Sequence, residues 1–316
     1  MKNYNLDEIA EWAIGDNQYS REEILNLPGY YLVVEIRSNH PSVLKCERLP
    51  NGQMEQRQFS MFRMIENLCS KHQIPDLVFG YCGHDRSPDT NGPFFTHSRI
   101  RGTRGRNILA PCFTFYGYPE KDPEIIKEYS QTWNELIDSD LRRETHWGQK
   151  EDSCVFVGTI SEYNNRLDNT TLSLDFGLNL SLINQSADSS NFISRESLSR
   201  YKFLLHLNGN GGAYASRFKY LLGTEGLVIY NYNSGSQTNF WEEWWMKEDV
   251  FLDGFHFVSV PDKIECVEKL KYYFENQGQA AEIASNGFSF FKEFLTPETI
   301  EKYWVSLLSS YAKKLK

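Results

Sequence analysis

A chain of 316 residues, 40% hydrophobic and 24% charged, carries enough apolar side chain for two packed cores, which excludes a disordered chain and favours two domains. A net charge of −9 and a pI near 5.4 exclude the broad basic footprint of a general nucleic-acid binder. An anionic ligand would need a local cationic pocket set against that field.

In chain order, Asn5 to Ala13 reads as a helix, and Ser20-Arg21-Glu22-Glu23 has the form of a capping box opening a second one. Tyr30 to Ile36 is a β-branched and aromatic strand, followed by a polar hairpin-like stretch around Asn51-Gly52. Met61 to His72 has helical periodicity, with Phe62, Ile65, Leu68 and Cys69 on one face. Asp76 to Tyr81 is a short buried strand, and Pro123 to Arg143 a long polar helix. After a charged, poorly periodic stretch at 147–153, Cys154-Val155-Phe156-Val157-Gly158 opens a second α/β unit. Its further strands are Phe203 to Leu207, Leu227 to Tyr230 and Phe255 to Val260, with a helix over Phe218 to Leu222. Helices over Pro261 to Asn276, Gln279 to Phe294 and Pro297 to Lys313 close the chain. Alternating helices and strands predict open, mostly parallel α/β sheets, whose ligands gather beyond the carboxyl ends of the strands.

The six cysteines include no C-x-x-C pair, and no run approaches the ~20 apolar residues that span a bilayer. Met1 to Ile14 is polar and acidic, without the pattern of a secretory leader. These features predict a cytoplasmic protein with reduced thiols and no transmembrane segment. The sequon Asn169-Thr170-Thr171 is then a chance match.

The stretch from Leu207 to Tyr220 carries the most chemistry: a strand, a glycine-rich loop (Asn208-Gly209-Asn210-Gly211-Gly212), then a helix start holding Ser216, Arg217 and Lys219. Glycines let a backbone approach phosphate oxygens, a helix N-terminus presents N–H donors, and arginine supplies a planar fork. The spacing fits neither the G-x-x-x-x-G-K-S/T of a P-loop nor the G-x-G-x-x-G of a dinucleotide fold. On spacing alone, a diphosphate site and a flexible turn before a surface helix stand equal.

Tyr201-Lys202-Phe203-Leu204, Asn208-Gly209, Ser216 to Leu222 and Gly226-Leu227-Val228 together resemble the CAP10-like glycosyltransferases, glycosyltransferase family 90. That family includes protein O-glucosyltransferases and fungal capsule xylosyltransferases. Three co-linear stretches agree: Phe156-Val157-Gly158-Thr159 with Arg166, Phe255 to Val260, and the run His84-Asp85, Pro88, Phe94 to Ser98, Pro111 to Phe115. The resemblance spans roughly Asp76 to Lys313. Two departures stand out, Val157 where the family has arginine and Asn208 where many relatives have Asp.

The resemblance implies a GT-B architecture, two Rossmann-like domains with a cleft between them. The domains would be 1–150 on the acceptor side and 151–295 on the donor side, with 296–316 packing back on the first. It implies inverting, metal-independent transfer of a sugar, glucose or xylose, from a UDP-sugar to a hydroxyl of a glycan or protein. Asp85 would be the general base, abstracting the acceptor proton. Gly158, Thr159, Arg166, Asn208, Gly209, Ser216, Arg217 and Lys219 would hold the donor nucleotide, and His84, Ser98 and Arg99 would face the acceptor or clamp it. No cofactor is implied. With no leader in the sequence, the analogy points to polysaccharide or lipopolysaccharide biosynthesis. The alternative, motivated by Val157, is a non-catalytic carbohydrate- or nucleotide-sugar-binding protein on a decayed transferase fold.

Several other features read as structural. Asp138-Ser139-Asp140 spells a D-x-D, yet it sits in a predicted helix where residues two apart diverge. No histidine pair has metal-ligand spacing. His206 reads as a core histidine, and His256 as a packing or site residue. Arg99, Arg101, Arg104 and Arg106 form either a clamp for an anionic glycan or a solvated loop. Phe240 to Trp245 reads as helix packing with one exposed edge, or as a surface that stacks on sugar rings.

Overall fold

A computed structural model of the protein describes residues 4–29, 31–46, 53–85, 92–103, 105–115, 133, 146–158, 180–184, 195–209, 212–232 and 239–316. The chain divides into two compact units: Met1–Leu136 with Glu242–Val250 and Thr296–Lys316, and Ile137–Trp241 with Phe251–Leu295.

The first unit opens with α1 (Leu6–Ile14), which Asn5 caps by accepting from the Asp7 and Glu8 amides. Both halves of the Ser20–Glu23 capping box form ahead of α2 (Arg21–Leu25). Strand β1 (Leu32–Arg37) turns back into β2 (His40–Lys45) through Ser38 and Asn39, both at positive φ (49° and 66°), the conformation a two-residue hairpin turn needs. The hairpin expected at Asn51-Gly52 falls outside the described residues. Asn39 fixes this turn, its Oδ1 accepting from the Ile74 amide at 2.8 Å.

Helix α3 (Gln53–Lys71) buries Met61, Met64, Ile65, Leu68 and Cys69. Phe62, expected on this face, is only half-buried, and Met61 and Met64 are buried in its place. The strands β3 (Leu77–Cys82), β4 (Phe94–Thr96), β5 (Arg99–Ile100) and β6 (Ile108–Leu109) follow. The sheet order is β2-β1-β3-β4-β6, with β1 antiparallel to both neighbours and the rest parallel. Four of its five strands run in one direction, in line with the expected mostly parallel sheet, and β1, between β2 and β3, runs against them.

The second unit contains β7 (Glu151–Gly158), β8 (Leu180–Asn184), α4 (Arg195–Leu198), β9 (Tyr201–Leu207), α5 (Phe218–Leu222), β10 (Leu227–Asn231), the Trp241 half of β11 (Trp241–Glu242), β12 (Val258–Val260), α6 (Lys263–Glu275) and α7 (Gln277–Glu293). Its sheet is parallel throughout, in the order β8-β7-β9-β10-β12. Counted within the unit this is 2-1-3-4-5, a doubly wound order whose direction reverses between β7 and β9. Parallel strands buried on both faces explain the apolar runs Phe203-Leu204-Leu205 in β9 and Leu227 to Tyr230 in β10. Phe203, Leu205 and Leu207 pack with Cys266, Val267, Leu270, Ile283 and Ala284 of α6 and α7, while His206 lies against Phe218 and Tyr230. The strand expected from Phe255 is three residues long. His256 lies in a turn before it, its Nδ1 accepting from the Leu252 amide at 2.8 Å, which makes it a packing residue.

The C-terminal helix (Pro297–Lys314) belongs to the first unit and buries Ile300, Tyr303, Trp304, Leu307, Leu308 and Tyr311 along one face. Tyr303 donates to the Leu109 carbonyl at 2.7 Å and Tyr311 to that of Val78 at 3.1 Å. The helix expected at Phe240 to Trp245 is corrected to a short strand and a turn. Trp244 stacks on Tyr303 at 4.1 Å, so the aromatic cluster is packing built from extended chain. Among the described residues no disulfide forms and no helix is long and apolar enough to cross a membrane. The Pro123–Arg143 helix and Asp138-Ser139-Asp140 lie outside the described residues, apart from Trp133, which is helical and buried against Phe115.

Candidate functional site

The sheet reversal in the second unit brings together the ends of β7 and β9. Gly158 closes β7, and Asn208-Gly209 follows β9. Asn208 is buried and fully engaged: its amide nitrogen donates to the Tyr232 and Asn239 carbonyls at 3.0 and 2.9 Å, and its Oδ1 accepts from the Tyr230 hydroxyl at 2.7 Å. It anchors the loop. The Gly209 amide donates to the Ala213 carbonyl at 2.6 Å, and a Cβ at 209 would stand 2.7 Å from the Tyr214 carbonyl oxygen, so only glycine fits.

The chain then returns Arg217 to the end of β7. Its guanidinium lies 5.0 Å from the Phe156 ring centroid and its Nη1 donates to the Val157 carbonyl. A Cβ on Gly158 would sit 2.6 Å from both Nη1 and Nη2, so the missing side chain at 158 is the space that admits Arg217. Ser216 is half-buried in the same turn. The helix expected to open at Ser216 opens at Phe218, leaving Ser216 and Arg217 in the turn before it. Lys219 lies inside α5, fully buried, with Nζ 3.3 Å from the Tyr214 hydroxyl. Thr159, Arg166, Asn210 and Gly211 lie outside the described residues.

In the first unit Asp85 follows the carboxyl end of β3, its side chain 45% exposed. Arg57 of α3 donates from Nη1 to Asp85 Oδ1 at 2.8 Å and to the Gly83 carbonyl at 2.9 Å, and from Nη2 to Oδ2 at 3.4 Å. The fully buried His97 places Nε2 3.8 Å from Oδ1. His84 is half-buried, and burial followed by repulsion from Arg57 pulls its pKa below the usual value, against the opposing field of Asp85. His84 is therefore neutral at pH 7. Ser98 is buried at 1%.

Arg99 is not turned to solvent. It donates from Nε to Glu242 at 2.9 Å and lies 4.6 Å from the Trp12 ring centroid. Arg101 takes the other oxygen of the same buried carboxylate at 3.1 Å, and Arg106 forks onto Glu23 at 2.8 and 3.1 Å. The basic loop is thus tied to carboxylates of its own unit, with Arg104 outside the described residues. Together with Lys247, Glu248 and Asp249, Arg99 and Arg101 line an open pocket of about 490 Å³.

Sequence reading assigned no role to Arg57 and His97, which reach Asp85, or to Phe113, which packs against both of them. Arg57 lies in a polar stretch of α3, where an arginine has no spacing signal to separate it from a solvated one. Among the described residues no three His, Cys, Asp or Glu side chains converge as a metal-ligand set.

The sequence model of glycosyl transferase family 90 matches residues 64–316. The chain is 26% identical over 241 residues to O-glucosyltransferase rumi of Drosophila melanogaster, covering 71% of this chain and 55% of that one. It is 22% identical over 276 residues to Protein O-glucosyltransferase 3 of Mus musculus, covering 81% of this chain and 51% of that one. It spans about half the length of these curated relatives. Among solved structures it is similar to an alpha1,3-fucosyltransferase with GDP-fucose, with a TM-score of 0.40, 14% identity, and coverage of 72% and 73% of the two chains.

Proposed function

The chain belongs to glycosyl transferase family 90, and on that premise we propose that it transfers glucose or xylose from a UDP-sugar to a hydroxyl of a glycan or protein, with inversion and without a metal. The reading assigns the donor diphosphate to the second unit and the acceptor proton to the first. The observation that carries it is Arg217 over the side-chain-free Gly158, at the reversal of a 2-1-3-4-5 parallel sheet. A guanidinium there suits the charge that builds on a leaving diphosphate.

In the proposed step the acceptor oxygen attacks the anomeric carbon, and its bond forms as the bond from that carbon to the diphosphate oxygen breaks. The diphosphate leaves with the electron pair as UDP. The hydroxyl proton passes to the Asp85 carboxylate, whose partial exposure suits a base that must meet solvent-borne acceptors. Asn208 and Gly209 act in this account by shaping the loop that returns Arg217. Glucose and xylose differ by one hydroxymethyl group, so a pocket wall, and no motif, decides between them.

The test is release of UDP from UDP-glucose and UDP-xylose with a panel of sugar and peptide acceptors, with and without EDTA, beside UDP-induced thermal stabilisation. The expected result is acceptor-dependent release that EDTA leaves unchanged. Stabilisation by UDP without any release would favour the binding-protein alternative. Absence of both release and stabilisation would overturn the donor site itself.

A further inference from the structure

We propose that Arg57 is the positioning residue of the Asp85 base, an inference that rests on the transferase reading above and assigns a residue ahead of the matched family region, which begins at 64. The guanidinium is held on three sides. Its Nη1 bridges the Gly83 carbonyl and Asp85 Oδ1, so the carboxylate is fixed relative to the backbone of its own loop. The guanidinium carbon lies 4.7 Å from the Phe113 ring centroid, and Phe113 in turn meets the buried His97 edge-on at 5.5 Å. His97 closes on the same Oδ1 that Arg57 binds.

The contacts on the carboxylate are unequal. Oδ1 takes the 2.8 Å bond and the imidazole at 3.8 Å, whereas among the described residues Oδ2 takes the longer 3.4 Å contact from Nη2. With Oδ1 anchored, Oδ2 is the oxygen left to receive the acceptor proton. A carboxylate on a surface loop would otherwise sample several rotamers, and general-base catalysis depends on the base lying at hydrogen-bond distance in one of them. Arginine suits this task because its planar fork holds a carboxylate in a defined plane and keeps its own proton.

The geometry also says which substitution fails and how. Lysine keeps the charge but is a point donor, so it cannot span Gly83 and both carboxylate oxygens as the fork does. The experiment measures kcat and KM for UDP-glucose, with methyl glycosides or peptides as acceptors, in wild type, Arg57→Ala, Arg57→Lys and Asp85→Asn. UDP-induced thermal shift serves as the check on the donor half. Arg57→Ala is expected to lower kcat by about 10- to 100-fold, the scale of a misplaced catalytic group, with donor KM and the UDP shift within about twofold of wild type. Arg57→Lys is expected to recover part of the loss. Wild-type kcat in Arg57→Ala, or a loss confined to donor KM, would overturn the positioning role while leaving the base in place. Should Arg57→Ala fail to fold, wild-type kcat in Arg57→Lys overturns it equally. Unchanged kcat in Asp85→Asn would instead overturn the base, and this inference with it.

Discussion

At the scale of single residues, the second-unit site is a matter of one vacancy and one cation. Restoring a side chain by Gly158→Ala places a methyl 2.6 Å from both terminal nitrogens of Arg217. The obstructed group is the end of a flexible side chain, so the strand should hold and the guanidinium should move. The variant is expected to lie within ~1 kcal/mol of wild-type stability, yet to lose UDP affinity as Arg217→Ala does, by ~10- to 100-fold for a charge-assisted contact. Titration calorimetry with UDP checks both; unchanged affinity in either variant would remove Arg217 from the phosphate site. The glycine-rich loop and Arg217 were singled out in the sequence by their order among the other family-like stretches, since spacing alone left a flexible turn equally open. Arg57 and His97 were not legible, since their contacts with Asp85 come from α3 and the segment after β4, far apart in sequence. Arg99 was read as open between clamp and solvated loop; the missing information was its partner Glu242, 143 positions away.

At the scale of elements, local signals served well wherever local chemistry decides the outcome. Asn5 and the Ser20–Glu23 box start their helices because their side chains accept the free amides of the first turn. The hairpin turn at Ser38-Asn39 was missed because its turn composition is weak, and it is held by tertiary anchoring of Asn39. The tryptophan-rich stretch after Phe240 has helical spacing, but it is drawn out as strand and turn so that Trp244 can stack on Tyr303. The C-terminal helix shows what such packing contributes. Trp304 is fully buried with its Nε1 2.8 Å from Met64 Sδ, so Trp304→Ala should cost ~3–5 kcal/mol. Tyr303→Phe strands the Leu109 carbonyl and should cost ~1–2 kcal/mol. Urea denaturation measures both, and equal losses would mean that burial contributes no more here than one hydrogen bond.

At the scale of the whole molecule, two α/β units arise from one chain that crosses between them more than once. Periodicity reveals each sheet but not the assignment of Glu242–Val250 to the first unit, because after Glu242, the last residue of β11, the segment is turn and irregular chain with no periodic signature. The electrostatics of the first unit give a pH test. The Arg106 fork lowers the Glu23 pKa to about 2. A carboxylate with a depressed folded-state pKa contributes stability above its unfolded pKa and loses it as pH falls through the folded one. The advantage of wild type over Glu23→Gln should therefore be full above pH ~4.5 and vanish near pH 2. Its size should stay below ~1 kcal/mol because Glu23 is 44% exposed and screened. Thermal melts of the two proteins between pH 2 and 7 check it; a difference that persists at pH 2 would contradict the ion pair.

The central claim divides labour between Asp85 and Arg217, and the most direct measurement compares transfer rate and UDP affinity in Asp85→Asn and Arg217→Ala. The account predicts that Asp85→Asn binds UDP as wild type does and transfers nothing, whereas Arg217→Ala loses UDP affinity. Loss of UDP binding in Asp85→Asn, or retained transfer in it, would contradict the account.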